Sequence, residues 1–364
     1  MANLFDYLDW RGDLPFSAAP FCEVDNLILS LVSYLDFSSL LLEGDRIGLP
    51  LEKLAPLVLA SRPKGPLGLL LSERFYDLLA RAALSPRFAP VRVWGHRSRS
   101  DKKRELQFSA TTFSLGGGES FVAFRGTDDT LIGWKEDFNM TVSFPVPAQE
   151  EAAAYLSFVA HSTTDRLLIG GHSKGGNLAV YAAATCDEAV RERIVTVWSN
   201  DGPGFPREML ESSGYLAIRD RIRPLMPRSS VVGIIFEWDP EPELVESNAS
   251  GAFQHEGLTW QVMGPAFVRA PEQSRGSRQL DRSFRTLLQE MDLPCRRQLI
   301  DDMFSVGDDL GIETLAELTA DGRRGQSFLA LSSKLTGIDR DTRDCFLRAM
   351  KAVFREEDPP AEDI

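Results

Sequence analysis

Between residues 23 and 84 apolar side chains return every three or four positions, with Val24, Leu27, Ile28, Leu31, Val32 and Leu35 forming one stripe. That spacing places side chains on a single face of an α-helix. Leu51 to Ala60 and Leu69 to Ala83 follow the same rule, and Pro63-Lys64-Gly65-Pro66 separates them, because neither proline continues a helix. From Val91 the texture changes to short runs rich in β-branched and aromatic residues: Val91 to Trp94, Leu106 to Leu115 and, beyond Gly116-Gly117-Gly118, Ser120 to Phe124. These read as strands of a hairpin or meander.

Strand and helix patterns then alternate. Glu150 to His161 reads as a helix, Arg166 to Ile169 as a strand, Asn177 to Thr185 as a helix and Ile194 to Trp198 as a strand. Such alternation calls for parallel strands joined by crossover helices. Tyr215 to Leu225 and Val231 to Glu237 read as a further strand and its continuation. Gly264 to Ser277, rich in Gly, Pro, Ser and Arg, reads as a linker. Helical patterns follow at 278–292, 294–307, 311–319, 324–335 and 340–356, and the charged, proline-bearing tail reads as disordered. The expected organisation is a helical region at 1–84 packed on an α/β core at 85–268, a C-terminal helical region at 278–356 and an acidic tail at 357–364.

Composition narrows the possible functions. With 53 acidic against 40 basic residues the formal net charge is -13, the wrong sign for non-specific attraction to nucleic acid or anionic lipid. The basic stretch Arg97 to Arg104 falls between β-like runs and reads as a solvated loop. No apolar run reaches the roughly 20 residues of a membrane-spanning helix. The first residues lack the basic start and apolar run of a secretory signal, so the expected location is the cytoplasm. The 4 cysteines are scattered without a CxxC pair, which suggests neither a disulfide framework nor a zinc site.

The chemistry concentrates after Arg166-Leu167-Leu168-Ile169. There Gly171-His172-Ser173-Lys174-Gly175-Gly176 joins the strand to the small-residue helix that begins near Asn177. A G-x-S-x-G turn between strand and helix is the nucleophile elbow of the α/β-hydrolase fold. The serine sits on a strained turn whose flanking glycines allow close backbone approach, at the positive end of the following helix. Ser173 is the expected nucleophile.

A serine hydroxyl needs a base to take its proton, and the chain has 4 histidines. His172 adjoins the serine, and adjacent side chains of an extended turn point apart. His161 precedes the nucleophile strand and belongs at the other end of the sheet. His96 comes too early for the chain order nucleophile, acid, histidine. His255, in Gly251-Ala252-Phe253-Gln254-His255-Glu256-Gly257, remains. For the acid, Asp201 is the first choice, opening Asp201-Gly202-Pro203-Gly204 after Ile194 to Trp198; Asp239 and Glu237, after Val231 to Phe236, are its rivals.

Three blocks of the chain resemble the class 3 lipases and, more closely, a lipase-like bacterial family of the Mbeg type. They are Phe121-Val122-Ala123-Phe124-Arg125-Gly126-Thr127 with Trp134 and Asp137, the Ser173 elbow, and His255-Glu256-Gly257-Leu258-Thr259-Trp260. The opening Asp6-Tyr7-Leu8-Asp9-Trp10-Arg11-Gly12-Asp13 and Glu23-Val24-Asp25-Asn26 carry the second likeness to the N-terminus. The resemblance implies that Thr127, through its N–H and its hydroxyl, shares an oxyanion hole with the N–H of Lys174. The chain departs from the lipase pattern twice: Lys174 stands where leucine is common, and Ser229-Ser230 stands where an aspartate is expected after the final strand.

The expectation is therefore an α/β-hydrolase fold with a mostly parallel sheet, an N-terminal helical region and a C-terminal helical extension. Its expected activity is hydrolysis of a small acyl ester or lipid-like substrate through an acyl-enzyme on Ser173, without metal or organic cofactor. The same site suits acyl transfer if water is excluded, and a hydrolase-derived binding or scaffold protein is the reading from another class. The helical flanks are expected either to form a lid over Ser173 or to pack peripherally.

Overall fold

The computed structural model describes residues 1–62, 72–314 and 317. Its strands are β1 (Leu49–Pro50), β2 (Arg92–Asp101), β3 (Leu106–Gly116), β4 (Glu119–Phe124), β5 (Arg166–His172), β6 (Ile194–Asn200), β7 (Ile222–Pro227) and β8 (Glu243–Val245). They form one 8-stranded sheet in sequential order. Pairing is antiparallel from β1 to β4 and parallel from β4 to β8. A small hairpin follows, of β9 (Val262–Met263) and β10 (Ala266–Phe267).

Sequential strand order decides where the helices go. Right-handed crossovers that always step the same way put every connecting helix on one face of the sheet. The helices on that face are α6 (Pro147–Ser162) and α7 (Lys174–Thr185), with α10 (Ser213–Ile218) beside them; the short α8 (Glu188–Arg191) and α9 (Arg207–Leu210) fill the connections. Val122, Phe124, Leu167, Ile169 and Val197 point into that face, against Leu156, Val159, Leu178 and Ile218.

A parallel sheet is stable only when both faces are covered, and the crossovers leave the second face bare. The N-terminal helices cover it: α1 (Leu4–Arg11), α2 (Glu23–Val32), α3 (Leu51–Ala60) and α4 (Arg74–Leu84). Leu27, Ile28 and Leu31 of α2 share a core with Phe121, Ala123, Leu168, Trp198 and Leu225. The alternation of Phe121 and Ala123 with Val122 and Phe124 is the period-2 signature of a strand buried on both sides. The apolar stripe from Val24 to Leu35 thus has its partner in the sheet.

Several elements differ from the sequence reading. The basic stretch is half strand: Arg97 and Arg99 lie in β2 and pair with Glu43, so only residues 102–105 form the turn. Tyr215 belongs to α10, and the strand starts only at Ile222. Residues 231–237 form turns rather than a strand, because Ser230 and Gly233 are drawn onto Asp201 by hydrogen bonds. Ile234 is buried instead against Met226 and Leu280. A helix absent from the periodicity, α5 (Leu131–Asn139), follows β4. The segment read as a linker is packed, with Arg269 bonded to Glu23 and Glu243.

Two C-terminal helices are described, α11 (Arg275–Glu290) and α12 (Leu293–Leu310). Leu280 of α11 packs beside Met226 at the end of β7, while Phe304 of α12 meets Phe138 of α5 edge to face. The start of the helix read at Leu69, the helices read at 324–335 and 340–356, and the tail lie outside the described residues; of the helix read at 311–319, residues 311–314 are not helical, Gly311 capping α12 and Thr314 bridging to Thr130, and 315, 316, 318 and 319 lie outside the described residues. Among the described residues, no helix is long and apolar enough to cross a membrane.

Candidate active site

β5 delivers Ser173 into a left-handed backbone conformation, φ 58° and ψ −135°, directly before α7. A positive φ is unfavourable for a non-glycine residue, and here it projects the side chain from the strand-to-helix corner. The corner is tight. A Cβ added at Gly175 would lie 2.0 Å from Phe124 O, and one at Gly171 would lie 2.3 Å from Gly175 C, so both positions exclude any side chain. The Ser173 N–H donates to Asn200 O at 2.9 Å, which ties the elbow to the end of β6.

One residue further on, Asp201 is buried with φ 52°. Its Oδ2 accepts the His255 Nδ1–H at 2.6 Å. A carboxylate only accepts, so Nδ1 carries the proton and Nε2 is left as the basic nitrogen. The second oxygen, Oδ1, accepts from Ser230 Oγ at 2.5 Å and from the Gly233 N–H at 3.2 Å. The two rival acids lie elsewhere: Asp239 is bound by Arg219, and Glu237 by Arg285, both partly exposed.

The four histidines divide as their chemistry requires. His96 contacts Thr111 and Asp36, and His161 turns back onto Ser157 O in α6. His172 has its own task. Its ring stacks on that of His255 at 4.7 Å between centroids, and its Nε2–H donates to the His255 carbonyl at 2.7 Å. Since that carbonyl only accepts, His172 Nδ1 is an acceptor, filled by the Tyr34 hydroxyl at 3.0 Å. Among the described residues Ser173 Oγ has no hydrogen-bond partner, His255 Nε2 included. Such contacts tighten when substrate arrives.

Burial, reinforced by the neighbouring His255, pushes the His172 imidazole down to about 3. A folded value below the unfolded 6.5 means that the unfolded chain binds the proton first. The neutral ring's contribution to stability is therefore complete above pH 6.5 and is lost as pH falls from there toward 3. Replacing the ring removes this loss. Between pH 7 and pH 5 the parent protein should lose about 2 kcal/mol more stability than His172→Gln, measured by urea unfolding; parallel pH curves would refute the assignment.

Thr127 lies between β4 and α5, buried, with its Oγ1 donating to Asp137 Oδ2 at 2.5 Å. The hydroxyl hydrogen is thereby directed at Asp137, which leaves the backbone N–H as the group Thr127 can offer an oxyanion. Lys174 opens α7, where first-turn N–H groups have no intrahelical acceptor. Its side chain turns inward instead: Nζ donates to Gln107 O at 3.0 Å, Gln107 Oε1 at 2.8 Å and Glu136 Oε2 at 3.1 Å. Burial pushes the Asp137 carboxyl up to about 6 against the opposing pull of Lys174.

Lys174 and Glu136 are both fully enclosed, 1% and 0% exposed, so removing Lys174 leaves the Glu136 carboxylate buried without its cation. Lys174→Leu, the lipase-like residue, should cost about 3–5 kcal/mol in chemical unfolding, with Glu136→Gln in the same background recovering part of it. A loss under about 1 kcal/mol would mean that the pair is not buried as described. Periodicity could not reveal this cluster, because Glu136 sits in a helix with a weak apolar stripe. Tyr34 and Ser230 were hidden by distance along the chain. The one available sign was the serine pair at an acid position.

A left-handed serine between a parallel strand and a helix, beside a buried Asp–His pair at the ends of the strands, defines a protein of the α/β-hydrolase fold. Residues 82–305 match the Mbeg1-like family. That span is more than half of the chain, and the chain belongs to this family. Among solved structures, one described as a crystal structure of M37 lipase is 16% identical, covers 59% of this chain and 70% of that chain, and gives a TM-score of 0.38. A likeness so distant carries no argument, and the fold stands on the sheet and elbow above. No curated protein matches the chain. Among the described residues no group of three or more His, Cys, Asp or Glu side chains is placed to hold a metal ion.

Proposed function

We propose that this protein is a serine hydrolase of carboxylic esters. The observation that supports the reading best is the Asp201–His255 hydrogen bond of 2.6 Å, formed by residues 54 apart in the chain beside the strained Ser173 elbow. A buried carboxylate holding one imidazole tautomer is the arrangement that turns a serine hydroxyl into a nucleophile.

In this reading His255 Nε2 takes the Ser173 proton as Oγ attacks the acyl carbonyl, and the carbonyl π electrons move onto oxygen. The backbone N–H groups of Lys174 and Thr127 stabilise that oxyanion, each worth a few kcal/mol when aimed at the developing charge. Collapse of the intermediate breaks the ester C–O bond, and His255 returns the proton to the leaving alcohol. Water then repeats the sequence on the acyl-enzyme and releases the acid. The first proton leaves with the alcohol, a proton of the attacking water restores the Ser173 hydroxyl through His255, and the substrate class is a small acyl ester or lipid-like ester.

The test is covalent labelling of the full chain with a fluorophosphonate, followed by mass spectrometry of the labelled peptide. Labelling on the peptide containing Ser173 is expected. A folded chain that takes up no probe would overturn the hydrolase reading in favour of a binding or scaffold protein.

A further inference from the structure

The acid in this site stands at the end of β6, and the equivalent place at the end of the adjoining parallel strand β7 is taken by Ser229 and Ser230. We propose that this serine pair is a positioning element for the acid and the base together, and that position 230 is a second station from which a carboxylate can serve His255. The inference rests on the reading of Ser173, His255 and Asp201 given above.

The pair is bonded both to the site and to its support. Ser230 Oγ donates to Asp201 Oδ1 at 2.5 Å and itself accepts the Gly233 N–H at 2.8 Å. The Ser229 N–H donates at 3.0 Å to Oε1 of Gln254, the residue before His255. Ser277 Oγ, from α11, donates to Ser230 O at 2.6 Å, and the Ser274 N–H reaches Arg228 O at 2.7 Å. Ser229, Ser230, Gln254 and Ser277 are all buried, so these bonds do not compete with bulk water and reinforce one another.

The geometry explains what the pair does. A carboxylate attached by rotatable bonds can present either oxygen in many directions, while His255 Nδ1–H needs one oxygen held in line. Two donors fixed on Oδ1 stop that rotation and leave Oδ2 aimed at the imidazole. The bond from Ser229 to Gln254 ties the backbone carrying the base to the same anchor, so acid and base move together. Ser277 extends the anchor to α11, giving the C-terminal extension a share in the site.

The second station follows from the direction of the Ser230 side chain. Its Oγ already points at the Asp201 carboxylate at 2.5 Å. A carboxyl group at position 230 would extend one bond further along the same direction, into the space left free if residue 201 carried only a hydroxymethyl group.

The experiment uses the full chain and four variants: Ser230→Ala, Ser277→Ala, Asp201→Ser, and Asp201→Ser combined with Ser230→Asp. Thermal unfolding checks the fold of each, and the rate of fluorophosphonate labelling is the readout. Ser230→Ala should slow labelling roughly 10- to 100-fold, the loss expected from a misplacement on the order of 1 Å. Ser277→Ala should slow it less, by several-fold. Asp201→Ser should lose on the order of 10³- to 10⁴-fold, and the swapped pair should recover at least about tenfold of that. A merely structural role for Ser230 predicts no recovery on swapping.

If the wild-type chain is not labelled, the hydrolase reading fails and takes this inference with it. If the wild type is labelled but a folded Ser230→Ala matches its rate, the positioning role is overturned; if the swapped pair is no faster than Asp201→Ser, the second station is overturned; in both cases the hydrolase reading stands. Should Ser230→Ala not fold, Ser277→Ala decides the positioning role, a folded variant labelled at the wild-type rate overturning it, and the swapped pair decides the second station.

Discussion

Ser173→Ala should give a folded chain that takes up no fluorophosphonate at residue 173 and whose ester hydrolysis is lower on the order of 10⁵- to 10⁶-fold. The fold should survive because the serine side chain has no hydrogen-bond partner among the described residues, so alanine leaves no buried group unsatisfied. The backbone strain should also survive, since alanine at φ 58° is as unfavourable as serine. Ser173→Gly separates the two effects. It should be equally inactive yet about 1 kcal/mol more stable than Ser173→Ala in thermal unfolding, because glycine adopts positive φ without a Cβ clash. An alanine variant that still labels on its Ser173-bearing peptide would place the nucleophile elsewhere, and a glycine variant no more stable than the alanine one would mean that the elbow stores no strain.

The physical basis of legibility differs from one part of the molecule to another. The elbow was readable because its constraints are local: strand, strained serine, flanking glycines and helix are consecutive, and each excludes alternatives at its own position. Elimination among a small number of histidines singled out His255, and the structure bonds that residue to Asp201. The covering of the sheet's second face by α2 was half legible. The stripe from Val24 to Leu35 demanded a partner, but only the sequential strand order says that the bare face of the parallel sheet is that partner.

What remained hidden is long-range and polar. A serine carries no periodicity and no unusual propensity, so nothing at Ser230 announces a bond to Asp201, and Tyr34 reads as one more residue after an apolar helix. Glu136 and Lys174 each look like surface charges in a polar stretch until folding buries them together. The false strand at 231–237 has the same origin. Val231, Val232, Ile234, Ile235 and Phe236 have β-propensity, yet the segment is bent by the hydrogen bonds of Ser230 and Gly233 to Asp201 and by the Ile235 N–H donating to Val232 O, so tertiary contacts override local preference.

Asp201→Asn should reduce turnover on the order of 10³- to 10⁴-fold, whereas Asp239→Asn should leave it within about twofold of wild type. The asymmetry is fixed by the donors around Asp201. Ser230 Oγ and the Gly233 N–H both point at Oδ1, so the amide of an asparagine must keep its carbonyl oxygen there and turn its NH₂ toward His255. An NH₂ group facing Nδ1 requires that nitrogen to be an acceptor, which moves the imidazole proton to Nε2 and removes the lone pair that must accept the Ser173 proton. The substitution therefore changes the tautomer with almost no change in shape, and stability should fall far less than activity. Asp239 has a different role: its carboxylate is 42% exposed and paired with Arg219 at the surface. Losing such a pair costs at most about 1 kcal/mol of stability and does not touch the imidazole. Steady-state kinetics on a short-chain ester, with unfolding curves for each variant, measure both. The reverse ranking, or equal losses from the two substitutions, would remove Asp201 from the role of acid and return it to the loop after residue 236.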